Sequence, residues 1–295
     1  MIVTRFAPSP TGYLHLGHAF SALVAWCRAC HSGGRFLLRL EDIDTARCKP
    51  EFAQAILEDL TWLGLDWDGE IRVQSQHLAE YRAVLDQLAA RELLYPCFCT
   101  RADIQQSAAA PHTPDGTPMY PGNCRGLSAC ERASRIAAEV PHALRLDMQR
   151  ALRCVSGTLT FDEEGEGASI CHPELFGDVV LARKDAPASY HLCVTHDDAL
   201  QGITLVTRGE DLKPATHLHR LLQELMGWPA PRYAHHCLLT DASGRRLAKR
   251  DRAATLRELR AAGRTPAEVR DMALSNQNQL NQPSNQPLLA GVAKG

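Results

Sequence analysis

The sequence contains no long apolar run. None approaches the roughly 20 residues of a helical membrane span, and Arg5 and Pro8 stand where a signal peptide would carry its apolar stretch. No membrane association is therefore expected, and a cytoplasmic location is. Charge of one sign is lacking as well. The 32 Lys and Arg nearly cancel the 34 Asp and Glu, leaving a formal net charge of −2. This excludes a generic polyanion binder held by bulk positive charge, so any nucleic-acid contact has to come from a local patch. No internal repeat is found.

What is present is an ordinary globular composition, 45% hydrophobic and 22% charged over 295 residues, a length more natural to two compact units than to one. Cysteine is the exception. Eleven cysteines, an odd number without a secretory signal, argue against a disulfide framework and for a reducing environment. Most are expected to be small buried hydrophobes, with a spaced subset able to bind metal.

Periodicity gives a coarse α/β reading. A strand at Ile2–Phe6 is broken by Ala7-Pro-Ser-Pro-Thr-Gly12. Helical spacing of Leu16, Ala19, Phe20, Leu23, Val24 and Cys27 predicts a helix to about Cys30, stopped by Ser32-Gly33-Gly34. A strand over Arg35–Leu40 ends in Glu41-Asp-Ile-Asp44, and helices follow near Pro50–Leu63 and Gln76–Leu93. From Tyr95 to about Asp185 the chain turns rich in Cys, Pro and Gly, with short strands expected at Ala143–Asp147, Gly157–Phe161 and Asp178–Ala182. Further strands are expected at Tyr190–Val194, Ile203–Arg208 and His235–Thr240, and helices near Lys213–Met226, Thr255–Ala262 and Pro266–Leu274. An Asn/Gln/Pro-rich tail closes the chain.

The strongest site signal is Arg5-Phe-Ala-Pro-Ser-Pro-Thr-Gly12 followed by His15-Leu-Gly17-His18. Exposed N–H groups at a helix start make an anion site. Gly17 permits close backbone approach, and two imidazoles can donate to phosphate oxygens. Taken alone, a strand–turn–helix with two surface histidines explains the same residues. The stretch, however, resembles the HIGH motif of class I aminoacyl-tRNA synthetases, with the lead-in of the glutamyl/glutaminyl branch. Downstream, Arg246-Leu-Ala-Lys249-Arg250 occupies the place of the second family motif, KMSKS, with Ala248 where the family has Ser. Both motifs, in order and about 230 residues apart, make a specific signal.

The resemblance implies a Rossmann-like catalytic domain and adenylate formation at the α-phosphate of ATP. That chemistry needs positioning and stabilisation of negative charge rather than a protein nucleophile. His15, His18 and Lys249 are the implied catalytic residues, His15, Gly17, His18 and Lys249 the ATP-binding set, with Mg²⁺ assisting. Three further fragments, Leu38-Arg-Leu-Glu41-Asp-Ile-Asp-Thr45, Ser189-Tyr190-His-Leu192 and Val206-Thr-Arg208-Gly-Glu-Asp-Leu212, resemble the same family. Through them Glu41 is expected to meet the amino group of glutamate. Guanidinium binds carboxylate in a fixed fork, so Arg5 and Arg208 are expected at the two carboxylates, with Ser9 and Tyr190 assisting.

Cys97-Phe-Cys99 and Tyr120-Pro-Gly-Asn-Cys124 form a Cys-rich cluster. Three thiolates suit zinc, but Tyr is a rare fourth ligand, and Cys130 and His112 are more conventional alternatives. The arrangement resembles that of short glutamyl-synthetase relatives, which implies one structural Zn²⁺ held by Cys97, Cys99, Tyr120 and Cys124. Cys27 and Cys30, on an apolar helix face, are expected to pack in the core.

The domains expected are residues 1–94 and 186–240 as two halves of the catalytic domain, 95–185 as an inserted zinc-bearing subdomain, 241–274 as the second-motif loop and a helical segment, and 275–295 as a disordered tail. Only 46 residues follow Lys249, too few for an independent anticodon-reading domain. This shortness, and Val194 where full-length enzymes commonly carry Asn, resemble the glutamyl-Q tRNA(Asp) synthetases. That family activates L-glutamate without tRNA and attaches it to queuosine in the anticodon loop of tRNA(Asp). The implied partners are glutamate, ATP and queuosine-bearing tRNA(Asp), with a monomeric state expected. A truncated synthetase charging a tRNA 3′ end and a catalytically silent RNA-binding paralogue are the alternatives. Between Asp241 and Ser275, nine Arg and Lys against five Asp and Glu make this piece the expected site of part of the RNA contact.

Overall fold

The computed structural model describes residues 1–100, 102–104, 113–114, 116–239 and 254–275. Its first unit is β1 (Val3–Phe6), α1 (Leu16–His31), β2 (Arg35–Leu40), α2 (Pro50–Trp62), β3 (Arg72–Val73) and α3 (Leu78–Ala90). β1 pairs in parallel with β2, Val3 facing Arg35 and Phe6 facing Leu38, and β2 pairs in parallel with β3. The turn after α1 is built by glycine. Gly33 takes φ +58, and the Gly34 N–H returns to the Ala29 carbonyl at 2.8 Å, so the chain reverses in three residues and enters β2.

A second group follows: β4 (Leu94–Cys97), α4 (Ala129–Ala137), β5 (Ala143–Leu146), α5 (Met148–Arg153), β6 (Thr160–Glu163), β7 (Gly167–Ile170) and β8 (Val180–Ala182). β4, β5 and β8 form a small antiparallel sheet. β6 and β7 instead extend the sheet of the last group, so residues 95–185 divide between two sheets. The last group is α6 (Tyr190–Leu200), β9 (Leu205–Gly209), α7 (Ala215–Met226), β10 (Arg232–His236), α8 (Leu256–Ala261) and α9 (Pro266–Leu274). β10 pairs in parallel with β9 from Arg232–Leu205 to His236–Gly209, and with β6 at Tyr233–Glu163.

β1 and β9 meet at their beginnings. The Val3 N–H donates to Thr204 Oγ1 at 2.8 Å, and the Thr204 N–H returns to the Val3 carbonyl at 3.0 Å. Among the described residues no ladder joins the two strands farther along. From β1 the chain steps through β2 to β3 on one side, while β9, β10 and β6 lie on the other. Strand order therefore reverses at β1/β9, and the carboxyl ends part there to leave a crevice. Apolar faces hold both flanks. α1 buries Phe20, Leu23 and Val24 against Phe36, Leu38 and Leu60, with Val269 and Ala273 of α9 in the same cluster. On the other flank Tyr81, Leu85, Leu192, Leu218 and Leu222 join α3, α6 and α7. Each such buried side chain contributes about 1.5–3 kcal/mol relative to exposure.

Several expectations need correction. Tyr190–Val194 is not a strand but the first turns of α6, with Ser189 as N-cap accepting from the Leu192 N–H. Its aromatic and β-branched residues favour a strand locally. The helix prevails because it buries Leu192, Cys193, Val194, Asp197 and Asp198 together. The expected strand at His235–Thr240 starts earlier, at Arg232, and ends at His236. α4, α5 and β7 were not anticipated, although Ser128 and Glu131 form the reciprocal cap that starts α4. Five of the eleven cysteines are buried, not most, and the Cys27–Cys30 pair is split: Cys27 packs in the core and Cys30 is exposed. Four arginines of the 241–275 piece lie among the described residues, each with a protein contact, and the expected RNA contact there stays an expectation. Arg257 pairs with Glu58 and covers the Tyr13 ring, Arg260 covers Trp62, Arg264 pairs with Glu268, and Arg270 donates to the Leu63 carbonyl. The Arg246–Arg250 stretch with Ala248 and Lys249, and the tail beyond Ser275, lie outside the described residues.

Candidate functional site

The crevice is a cavity of about 600 Å³ whose lining includes Arg5, Ser9, His15, Gly17, His18, Glu41, Tyr190 and Arg208. Eight of the expected site residues, from four stretches of chain, thus face one space. A second cavity of about 590 Å³ shares Ser9, Glu41 and Tyr190 with the first.

At the start of α1 both imidazoles are locked by backbone. The Gly17 N–H donates to His15 Nδ1 at 3.1 Å, and the His15 N–H donates to His18 Nδ1 at 3.2 Å, with the ring centroids 3.9 Å apart. Because Nδ1 accepts in each ring, Nε2 carries the proton, so each ring is set as a donor. Histidine is an unusual N-cap. Here it satisfies the helix N–H groups and fixes the tautomer suited to an anion. The backbone bridge of His15 to Thr255 and the Leu256 N–H bond to the Leu14 carbonyl at 2.8 Å clamp this turn to α8.

Beneath the crevice lies a buried charge layer. Asp198 receives Arg5 Nε at 2.9 Å, Arg5 Nη2 at 3.3 Å and Arg39 Nη1 at 2.9 Å. Arg39 also donates Nη2 to Glu41 at 3.2 Å. Asp197 receives Arg72 Nε at 2.8 Å and, at 2.9 Å each, the Gln74 amide and the Tyr81 hydroxyl. Burial tends to raise the Asp198 carboxyl, but Arg5 and Arg39 outweigh it and hold it below the usual carboxylate range. For Glu41 burial wins over Arg39 and Arg5, and the carboxyl sits above that range. A cation arriving from the cleft would reverse that balance. Arg5 lines the cleft, but its guanidinium is engaged by Asp198 and by the Thr207 carbonyl at 3.1 Å.

Arg208 differs. It is buried at the end of β9, and its guanidinium contacts His235, His219 and Thr216. It makes no ion pair among the described residues. It is a buried cation whose counter-charge must come from elsewhere.

At the end of β4, the Sγ atoms of Cys97, Cys99 and Cys124 lie within 4.8 Å of one another. Tyr120 Oη is 3.4 Å from Cys97 Sγ and 3.6 Å from Cys99 Sγ, and Cys99 Sγ is 3.5 Å from Cys124 Sγ. Thiolates around a tetrahedral ion with bonds of about 2.3 Å stand about 3.8 Å apart, and an oxygen donor with its shorter bond stands slightly closer, so the spacing fits zinc. Without an ion, burial raises the Tyr120 phenol. A bound dication inverts that preference, and the Cys124 N–H, 2.8 Å from Tyr120 Oη, supports a phenolate. Cys130, one alternative ligand, is exposed on α4, and His112, the other, lies outside the described residues.

Sequence reading missed Asp198, Arg39, His219, His235 and His236. The one available signal was a lone Arg inside the apolar run Phe36-Leu-Leu-Arg-Leu40. His236, another cleft residue, is set by Ser21 Oγ at 3.0 Å from its Nε2.

A parallel layer that reverses order at a cleft, with a helix N-terminus and two imidazoles lining it, is the architecture of a nucleotide-binding catalytic domain. The family of tRNA synthetases class I (E and Q), catalytic domain, matches residues 1–273, and the chain belongs to it. Within the family it is 49% identical over 282 residues to a glutamyl-Q tRNA(Asp) synthetase of Rhodobacter capsulatus, covering 91% of this chain and 98% of that protein. It is 37% identical to a glutamate–tRNA ligase of Aquifex aeolicus, covering 90% of this chain but 55% of that one. A solved glutamate tRNA ligase from Elizabethkingia meningosepticum, in complex with its amino acid, superposes with a TM-score of 0.78 at 27% identity. That match covers 97% of this chain, which spans 64% of the ligase chain.

Proposed function

We propose that the protein activates L-glutamate with ATP, without tRNA, and transfers it to queuosine of tRNA(Asp). In the first step a glutamate α-carboxylate oxygen attacks the α-phosphorus of ATP. The bond to the bridging oxygen breaks and pyrophosphate leaves. Glutamyl adenylate then yields its acyl group to the modified base, and AMP departs. The observation that carries the reading is Arg208, a buried guanidinium at the cleft without a carboxylate partner among the described residues. Near-complete coverage of the R. capsulatus glutamyl-Q tRNA(Asp) synthetase supports the acceptor.

In this reading Arg208 takes the side-chain carboxylate of glutamate and Glu41 its ammonium, while Arg5, Ser9 and Tyr190 shape the remaining wall. His15 and His18 donate from Nε2 to ATP phosphates, Gly17 admits them to the helix start, and Lys249 neutralises charge moving onto pyrophosphate. Mg²⁺ accompanies the triphosphate. Cys97, Cys99, Tyr120 and Cys124 hold one structural zinc, which when bound ties the end of β4 to the 120–124 turn. The catalytic domain is built from residues 1–94 and 186–240, with β6 and β7 of the 95–185 insertion extending its sheet, in a monomeric, cytoplasmic protein.

Glutamate-dependent exchange between ATP and pyrophosphate, run without tRNA, tests the first step, and its absence would refute it. Exchange that survives Lys249→Ala would remove the role of that residue. Labelled glutamate should enter tRNA(Asp) only when queuosine is present. Equal labelling without it, or labelling of tRNA(Glu), would favour the truncated 3′-end-charging enzyme instead.

A further inference from the structure

Arg208 is held by groups that carry no charge. Its Nε donates to His235 Nε2 at 3.1 Å, its Nη1 to His219 Nδ1 at 3.2 Å, and its Nη2 to Thr216 Oγ1 at 2.7 Å. Guanidinium has only donors, so both ring nitrogens must accept and both imidazoles must be neutral. The tautomers follow. His235 carries its proton on Nδ1 and donates it to Glu163 Oε2 at 2.7 Å. His219 carries its proton on Nε2, facing His191 Nδ1 at 3.2 Å. Burial, with Arg208 adding to it, holds His219 well below the ordinary histidine value, and burial lowers His235 as well. Thr216 and His219 lie three residues apart on α7, one face of one helix, while His235 comes from β10. Two elements thus clasp the guanidinium from behind and leave it at the cleft wall.

The contrast with the other arginines near the cleft gives the arrangement meaning. Arg5 and Arg39 face Asp198, and Arg39 also faces Glu41. Their charge is spent inside the protein. A carboxylate in place of His219 would align Arg208 equally well but would cancel its charge. A neutral acceptor aligns it without pairing its charge directly, Glu163 standing one imidazole farther back behind His235, so a ligand carboxylate offsets a burial cost that an uncharged amide cannot.

We propose that His219, with His235 and Thr216, is a positioning residue that sets selection of an acid over its amide, acting through Arg208. This rests on the reading that Arg208 meets the glutamate side-chain carboxylate. The test measures calorimetric binding of L-glutamate and L-glutamine, and exchange kinetics, for wild type, His219→Leu, His219→Gln and His219→Glu. His219→Leu should raise the glutamate KM about tenfold or more with kcat within about threefold, because a buried donor loses its acceptor. His219→Gln, which restores an acceptor, should recover most of that loss. His219→Glu should reduce the glutamate-over-glutamine binding ratio about tenfold or more by neutralising Arg208. Thermal melts of the same proteins check folding, and Gln and Glu are close enough in size to carry the comparison if Leu misfolds. An unchanged KM in His219→Leu, an undiminished acid preference in His219→Glu, or equal binding of both amino acids by wild type would each overturn the proposal. Selective glutamate binding by wild type without exchange would refute the proposed reaction and leave the clasp standing.

Discussion

Replacing Asp198 by Asn removes one negative charge from the layer beneath the cleft without changing its shape. In the intact layer three guanidiniums, Arg5, Arg39 and Arg72, face three carboxylates, Glu41, Asp197 and Asp198. The sum is neutral except for Glu80, which pairs with Arg72 from the half-exposed edge. Asp198 takes hydrogen bonds from two arginines, and both Arg39 and Asp198 are buried. Breaking such a pair costs about 3–5 kcal/mol because a cation stays buried without its counter-charge. Asn keeps one carbonyl acceptor, so the lower end, about 3 kcal/mol, is expected. For a chain of 295 residues, at about 2.1 cal/mol/K of unfolding entropy per residue, that lowers Tm by about 5 °C. Urea unfolding should show a lower midpoint at unchanged slope. The sign of the pH dependence follows from a folded pKa lying below the unfolded one. The Asp198 contribution is fully present above about pH 4 and is lost as pH falls through the folded value. The gap between wild type and variant should therefore narrow only in acid. A loss under about 1 kcal/mol at neutral pH, or a gap that stays constant into acid, would refute the reasoning.

Asp59 has the opposite sign. It is buried on α2, one carboxylate oxygen has no hydrogen-bond partner among the described residues, and burial lifts its pKa to about 6. The folded protein then binds the proton more tightly, and stability falls as pH rises from about 4 to 6. Asp59→Asn should stabilise by about 1–3 kcal/mol at pH 7 and by little below pH 4, read by thermal melts; a destabilised variant at pH 7 would contradict this. Gly34→Ala places a methyl 2.0 Å from the Ile2 carbonyl oxygen. The backbone leading into β1 must move, and a loss of at least about 2 kcal/mol is expected in denaturant unfolding; wild-type stability would show that the junction yields freely. Zinc content should fall from about one equivalent to well below it in Cys97→Ser, and unchanged metal would remove Cys97 from the ligand set. Tyr120→Phe tests the fourth ligand in the same assay, with weakened retention against a chelator expected.

Much of this molecule was legible in the chain because its signals are local. A Pro/Gly turn between an apolar strand and a helix of 3.6-residue period placed His15, Gly17 and His18 at a helix start. Cys97, Cys99 and Cys124 announced a cluster by spacing and residue type, while Tyr120 was implied only by the resemblance to short glutamyl-synthetase relatives. Where local signals conflicted, the reading failed. Tyr190–Val194 has strand-like residues, but its place in α6 is decided by what Leu192, Asp197 and Asp198 pack against. The use of each arginine was not legible at all. Arg5 and Arg208 read as equivalent forks, yet Arg5 meets Asp198 from 193 residues away and Arg208 meets His235 from 27. Local pattern determined the turn, the helix start and the identity of the groups at the cleft. Which of those groups kept its charge for a ligand was decided only by the tertiary structure, because ion pairing depends on distances of a few ångströms and on burial, and neither is encoded among near neighbours in the chain.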